Sequence, residues 1–391
     1  QASNDARTHI NWYALQYDLG LFSNFTYFQD RANGDQFGQK DQRSAFGGSV
    51  TQSWQNNWGD RAMVNTLGVQ MRQDHIRVGL YDTAAQTTER TVRDDAVQQT
   101  MLGAYAQNEL NWQPWLRSVT ALRSDQLNVQ VINHTNLANS GAATATRVSP
   151  KLSLIFGPWQ QTEFFVNTGK GFHSNDARSM TDPNAPAQGL VATRGQEIGV
   201  KSQAIANLQT TFAVWQLDID SELVYVGDTG NTEAGRRSRR TGVEWSSQWM
   251  PSRHWQADLN LAWTRPRHTD GSPDGPYIVN AVTRVAHLNV TMQDIGSWSA
   301  SVGVRYIGAA PLIEDNSVQA SSTLTTELRI NRRIDPNLDI SLDIFNLANR
   351  LNNDISYYYA SRASIALGSQ LDVHVHPAEP RTFRLSARLR Y

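Results

Sequence analysis

The sequence predicts an all-β fold, a transmembrane antiparallel β-barrel. Three observations point there: segment after segment alternates apolar and polar residues with period two, short and long connections take turns along the chain, and tryptophans gather beside the short ones. A strand with lipid on one side and water on the other needs an apolar residue at only every second position. A mean hydropathy of −0.50 is therefore compatible with a membrane. No window approaches the roughly 18 apolar residues of a spanning helix, which excludes a helical membrane protein.

The alternation runs from one end to the other. Near the start, Tyr13, Leu15, Tyr17, Leu19 and Leu21 alternate with Ala14, Gln16, Asp18 and Gly20. In mid-chain Thr241, Val243 and Trp245 alternate with Arg240, Gly242 and Glu244, and Trp298, Ala300, Val302, Val304 and Tyr306 alternate with Ser299, Ser301, Gly303 and Arg305. Leu338, Ile340, Leu342 and Ile344 face away from Asp339, Ser341 and Asp343. The last segment sets Phe383, Leu385, Ala387, Leu389 and Tyr391 against Arg384, Ser386, Arg388 and Arg390. Each such strand has one greasy and one charged face. Many run to about ten residues or more, whereas strands of soluble sandwiches are usually about 5 or 6 residues long.

Short turns are expected at Asn56 to Arg61, Gln113 to Trp115, Pro158 to Gln161, Gln203 to Asn207, Pro251 to His254, Gln293 to Ser297 and Arg333 to Asn337. Long polar stretches lie between them, at Asp30 to Asp41, Tyr81 to Asp95, Asn133 to Thr146, Asp176 to Thr193, Gly227 to Ser238, Pro266 to Asn280, Gly308 to Ala320 and Ala348 to Glu379. Short periplasmic turns and long outer loops describe an outer-membrane barrel of about sixteen strands, with both termini in the periplasm. Trp54, Trp58, Trp112, Trp115, Trp159, Trp249, Trp255 and Trp298 all sit beside short turns, as an interfacial aromatic girdle requires. No compositional boundary divides residues 1–391, so they read as a single barrel unit.

Composition narrows the function classes. Lys and Arg number 35 against 36 Asp and Glu, which gives no electrostatic reason to expect a nucleic-acid partner. The lack of cysteine excludes a disulfide scaffold, a thiolate metal site and a cysteine nucleophile. Gln1 to Arg7 lack the basic start and apolar run of a signal peptide, so the chain is read as mature, truncated, or both. No phosphate-cradling glycine loop, HExxH or nucleophile elbow is present, and neither an enzyme nor a cofactor is implied.

Several stretches resemble the barrels of TonB-dependent outer-membrane receptors. They are LFSNFTYFQ from Leu21 to Gln29, SPKLSLIFG from Ser149 to Gly157, GKGFHSNDAR from Gly169 to Arg178, GQEIGVK from Gly195 to Lys201 and DIFNLANR from Asp343 to Arg350, with an aromatic residue at the C-terminus. The resemblance implies a barrel of about 22 strands filled by an N-terminal plug. It therefore implies that the plug, the first strands and the segment that contacts TonB are not in this chain. It also implies a Gram-negative outer-membrane location amid lipid and lipopolysaccharide. The implied role is uptake of a scarce solute, an iron-siderophore by family frequency, with cobalamin, other metal chelates and oligosaccharides behind. The rival readings are a plugless 16-stranded diffusion porin and an outer-membrane barrel hydrolase.

Three clusters are candidate ligand contacts. His173, Asn175, Asp176 and Arg178 begin a long loop where a strand leaves the membrane; they either touch an incoming solute or brace the loop. Tyr357, Tyr358, Tyr359 and Arg362 lie in the longest outer stretch, where aromatic and guanidinium groups stack on a planar anionic ligand or merely pack the loop. In DVHVHP, His374 and His376 share one face with Asp372, and Glu379 is nearby. That set reads either as imidazole and carboxylate ligands for a transition metal or as a loop-end hydrogen-bond network. Asp218, Asp220 and Glu222 alternate on one face, and Arg236, Arg237, Arg239 and Arg240 follow across the next loop; charge compensation inside a wet lumen is favoured over a calcium site.

Overall fold

The computed structural model describes residues 6–184, 186–221, 223–226 and 231–390. Its strands begin with β1 (Ala6–Ser23), β2 (Phe37–Trp58), β3 (Arg61–Ala84), β4 (Thr87–Gln113), β5 (Leu116–Asn133), β6 (Gly141–Trp159), β7 (Thr162–Ser174), β8 (Leu190–Ser202) and β9 (Leu208–Ile219). A small hairpin of β10 (Leu223–Val226) and β11 (Asn231–Ala234) leads to β12 (Ser238–Ser252), β13 (Trp255–His268), β14 (Arg284–Ile295) and β15 (Trp298–Ile307). The pair β16 (Ala310–Pro311) and β17 (Gln319–Ala320) precedes β18 (Thr323–Arg333) and β19 (Leu338–Phe345). The hairpin of β20 (Asn353–Ser361) and β21 (Gln370–Pro377) precedes β22 (Thr382–Leu389).

Sixteen of these strands form one antiparallel sheet in chain order from β1 to β22, and the three small hairpins stand in its outer connections. Laid flat, fifteen strand spacings would separate the two edges by about 70 Å. Instead, Arg362 in the last hairpin exchanges backbone hydrogen bonds with Thr26 and Phe28 beyond β1, so the sheet curls nearly into a ring. Among the described residues β1 pairs only with β2 and β22 only with β19.

Register carries one face around the ring. Val50 lies opposite Ile10 and Val69, Val69 opposite Ala104, and the same parity continues through Val148, Ile198, Val214, Val243 and Trp263. Large apolar side chains on this face stand open, Ile198 at 64% and Trp263 at 63%, which defines the lipid-facing belt. The other face is charged, with Asp74 and Asp125 each 1% exposed beneath Arg72 and Arg123. That face lines the lumen.

All seven expected short turns fall between consecutive strands, the tightest being Trp58 to Arg61, Gln113 to Leu116, Trp159 to Thr162, Ser252 to Trp255 and Ile295 to Trp298. The girdle is continuous there: Trp58 meets Trp112 edge-on at 5.8 Å, Trp115 stacks on Trp159 at 6.4 Å, and Arg61 lies over both Trp58 and Trp112 at 5.6 Å.

Three expectations need correction. Tyr81 to Asp95 is not a long loop: β3 and β4 run through it to a two-residue turn at Ala85 and Gln86, both at positive φ as a primed hairpin turn requires. Strands of 24 and 27 residues far exceed the about 9–11 needed to span, so this wall projects beyond the membrane with polar residues on both faces. The stripe Tyr13 to Leu21 does not face lipid; Tyr13 sits opposite Gly47, which sits opposite Arg72, on the lumen face. Alternation gives a period and leaves the sign to register. Finally, Asp218 does pair with Arg239, at 2.6 Å, but on the outward face instead of in the lumen, while Arg236 turns to Asp270 at 2.6 Å and Glu314 at 3.2 Å. Glu222 and Tyr391 lie outside the described residues.

Candidate functional site

The outer hairpin β20–β21 brings the second and third candidate clusters together. Antiparallel pairing sets Tyr357 opposite His374 and Tyr359 opposite Asp372, so those four and His376 share one face, while Tyr358, opposite Val373, points to the other. The Tyr359 and His374 rings stack at 3.9 Å and 11°. His374 Nε2 lies 2.8 Å from Ser361 Oγ, and the Tyr359 hydroxyl donates to the Phe25 carbonyl at 3.1 Å, across the seam of the sheet. The face thus presents a fixed aromatic and imidazole platform, flanked by exposed Tyr357 and His376.

Other predicted members are used differently. Arg362 donates to the carbonyls of Ser364, Ile365 and Leu367, which ties its guanidinium into its own turn and away from the tyrosines. His376 Nδ1 lies 3.8 Å from an Asp354 carboxylate oxygen, and the Asp372 carboxylate accepts from the Val373 amide. The Glu379 carbonyl accepts from Asn346 at the mouth of the hairpin, in a different setting from the histidines. Among the described residues no three His, Asp or Glu side chains converge with the spacing of a metal site.

The first cluster is a set of struts. Asp176 caps the short helix α1 (Ala177–Met180) and grips the Arg178 guanidinium, and Arg178 reaches Asp95 at 3.8 Å beside Arg93. Burial alone would raise the Asp176 pKa, but the paired Arg178 holds it below the usual carboxylate range. Asn175 donates to the Gln188 carbonyl at 2.7 Å, closing the base of the loop. Between them Ala177 and Met180 enter a hydrophobic cluster with Val97, Leu127, Val129, Val131 and Leu190, which docks loop 175–189 on the inner wall. His173, on β7 opposite Val191, is half-buried and outside these bonds.

One feature went unseen in the sequence. Gly169 pairs with Gly195 across β7 and β8, leaving a gap in the lumen wall beside Lys151, Glu197, Trp215 and Glu244, a cavity of about 510 Å³. Trp215 lies over Gly242, where a Cβ would come within 2.6 Å of the indole, and its buried Nε1 has no hydrogen-bond partner among the described residues. Glycines at 169 and 195 were visible, but their juxtaposition depends on register.

A curled antiparallel sheet with an apolar outer belt, a charged lumen and long outer loops has the architecture of an outer-membrane β-barrel. Residues 2–347 match the family model of the TonB dependent receptor-like β-barrel, and the chain belongs to that family. Over 210 residues it is 28% identical to the catecholate siderophore receptor Fiu of Escherichia coli K12, a stretch that covers 50% of this chain and 25% of that protein. The closed form of Fiu from K12 E. coli superposes with a TM-score of 0.75 at 15% identity, over 98% of this chain and 61% of that one. The ferric citrate transporter FecA gives a TM-score of 0.75 at 11% identity, over 100% and 60%, and the copper transporter OprC 0.67 at 17%, over 98% and 62%. The chain spans about a quarter of the curated relatives it matches and about three-fifths of the solved ones. These relatives are receptors and transporters, none an enzyme.

Proposed function

We propose that this chain is the barrel portion of a receptor that takes up a metal chelate, an iron-siderophore first, with energy coupled through TonB. The observation that carries the reading is the β20–β21 platform: stacked Tyr359 and His374, with Tyr357 and His376 beside them, on the outer hairpin that joins β19 to β22. Aromatic and imidazole faces suit a flat, polarisable chelate. Fiu's catecholate siderophore supports that class for this chain. We propose the lumen cavity at Lys151, Glu197, Trp215 and Glu244 as a station below the platform.

The unpaired edges of β1 and β22 bear on domain organisation. An open sheet edge in hydrocarbon leaves backbone groups without partners, at several kcal/mol each. Further strands between those edges, and a plug within the lumen, complete the receptor in this reading, with both ends of this chain on the periplasmic side and TonB reached through a segment outside it. A closed sixteen-stranded porin would pair β1 with β22, and that pairing is not present among the described residues.

Binding of a ferric catecholate to the full-length protein, followed by quenching of its tryptophan fluorescence, tests the reading. Replacing both His374 and Tyr359 with alanine should weaken affinity about 10-fold or more while the folded barrel keeps its thermal midpoint. Unchanged affinity would remove the platform from the site.

A further inference from the structure

We propose that the lumen face of β18, β19 and β22 carries a binding site for a small polyanion. The inference deepens the uptake reading and rests on it for the natural ligand, an anionic metal chelate passing through the lumen. Register fixes the facing. The apolar parity of Trp263 continues through Leu261 opposite Ala286, Leu288 opposite Val304, Val302 opposite Leu328, Leu328 opposite Ile344 and Leu342 opposite Leu385. The alternate residues of the last three strands therefore face the lumen, and they form three level rows. Arg329, Asp343 and Arg384 lie side by side. Two residues nearer the short turn at 334–337 are Asn331, Ser341 and Ser386, and two residues nearer again are Arg333, Asp339 and Arg388. Arg390 closes that end against Asp339 at 2.5 Å.

These side chains line a recess of about 500 Å³ in which five arginines stand against two aspartates. Glu327, the next lumen-facing residue beyond Arg329, and Asp294, 3.9 Å from Arg333, mark its two rims. Both aspartates inside it serve as orienting groups. Asp343 is buried and holds Arg329 and Arg384, while Asp339 holds Arg333 at 3.7 Å and Arg390. Arg329 and Arg384 reach Asp343 through Nε, so their Nη nitrogens have no hydrogen-bond partner among the described residues. The Phe345 ring steadies Arg384 at 4.9 Å. Arg388 is exposed and forms no ion pair with any described residue. Positive charge is thus left over, on guanidiniums already fixed in place. The two charged rows lie about 13 Å apart along the strands and about 10 Å across, with hydroxyl and amide groups between them. That layout suits an anion with oxygens at both ends and a neutral polar middle. Guanidinium forks match such oxygens in charge and in geometry, and an iron(III) ion wrapped by catecholates keeps a net negative charge.

The test titrates the full-length protein in detergent with metal-free citrate at low salt, followed by isothermal calorimetry. Citrate should bind the wild type, and its uncharged trimethyl ester should not. R388E should bind citrate at least about 10-fold more weakly, because it removes one charge-assisted donor and adds a repelling carboxylate. R388Q should fall between the two. Since Arg388 supports no ion pair, both variants should keep the thermal midpoint of the wild type. The outward control R332Q, whose arginine lies over Trp298, should bind citrate as the wild type does. No citrate binding by the full-length wild type would mean that another part of the protein already fills the recess, and would overturn the proposal. Equal affinity for the triester, or undiminished affinity in R388E, would overturn it as well. Should R388E not fold, R388Q and the triester still decide. Ferric-catecholate binding by the same wild-type preparation keeps the readings apart, because its absence would sink the uptake function and leave the citrate result standing.

Discussion

The two sides of the barrel solve the same problem at different heights. Strands β2, β3 and β4 run for 22, 24 and 27 residues, whereas β19 and β22 have eight each. On the tall side the inner face is dense: Asp74, Asp95 and Asp125 are buried, each beside an arginine two residues earlier, and loop 175–189 packs on the wall above them. On the short side, Asp343 is also buried and takes Arg329 at 2.5 Å and Arg384 at 3.2 Å, but both guanidiniums are more than half exposed to the lumen. Height above the membrane comes from sheet on one side and from the β20–β21 hairpin on the other. The tall side is therefore a wall of sheet, and the β20–β21 hairpin belongs to the short side, where the Tyr359 hydroxyl ties it to the first outer connection.

Mutations that test this contrast are ordered by expected size. Asp125→Ala removes a buried carboxylate from a half-exposed Arg123 and should cost about 2–3 kcal/mol, read as a lowered midpoint for loss of the compact form on heating. Met180→Ala, which empties part of the cluster under loop 175–189, should cost about 2 kcal/mol locally and speed amide exchange in that loop without shifting the global midpoint. Asp343→Ala, its counterpart on the short side, also removes a buried carboxylate but leaves two guanidiniums that water can solvate, and should cost less, about 1 kcal/mol. Equal effects of Asp125→Ala and Asp343→Ala would erase the distinction between the two sides. The smallest effect concerns the outer loops: the hydrogen bond from Arg236 lowers the Asp270 pKa to about 2. A depressed carboxylate stabilises above its unfolded value, about 4, and loses that contribution as pH falls through about 2. Exchange in residues 269–283 should therefore stay slow at pH 4 and quicken toward pH 2.

Much of this architecture was legible because its signals are local. Turn chemistry and interfacial tryptophans located every short turn between paired strands of the large sheet, and the lipid belt wrote its alternation into Leu338 to Ile344 and Phe383 to Leu389. Where a strand leaves the membrane that signal ends, since water on both faces asks for no alternation, and Tyr81 to Asp95 then looked like loop. Facing was the second blind spot. The stripe at Tyr13 to Leu21 and the Asp218–Arg239 pair have the right period and the right partner, yet their side of the wall follows only from register counted across strands. In the candidate site, sequence offered Tyr359 and His374 in two separate sets that only the strand register joins on one face, and it could not show that the Arg362 guanidinium bonds to carbonyls two to five residues away.

The clasp between the first and last outer connections has a kinetic meaning. Tyr359 and Phe25 are 334 residues apart, so the bond between them is among the most non-local contacts the chain can make. It requires every intervening hairpin to have zipped and the whole sheet to have bent. A probe on Phe25 or Tyr359 would thus act as a clock hand for the final event of assembly, silent through the local pairing steps and moving only when the circle comes together.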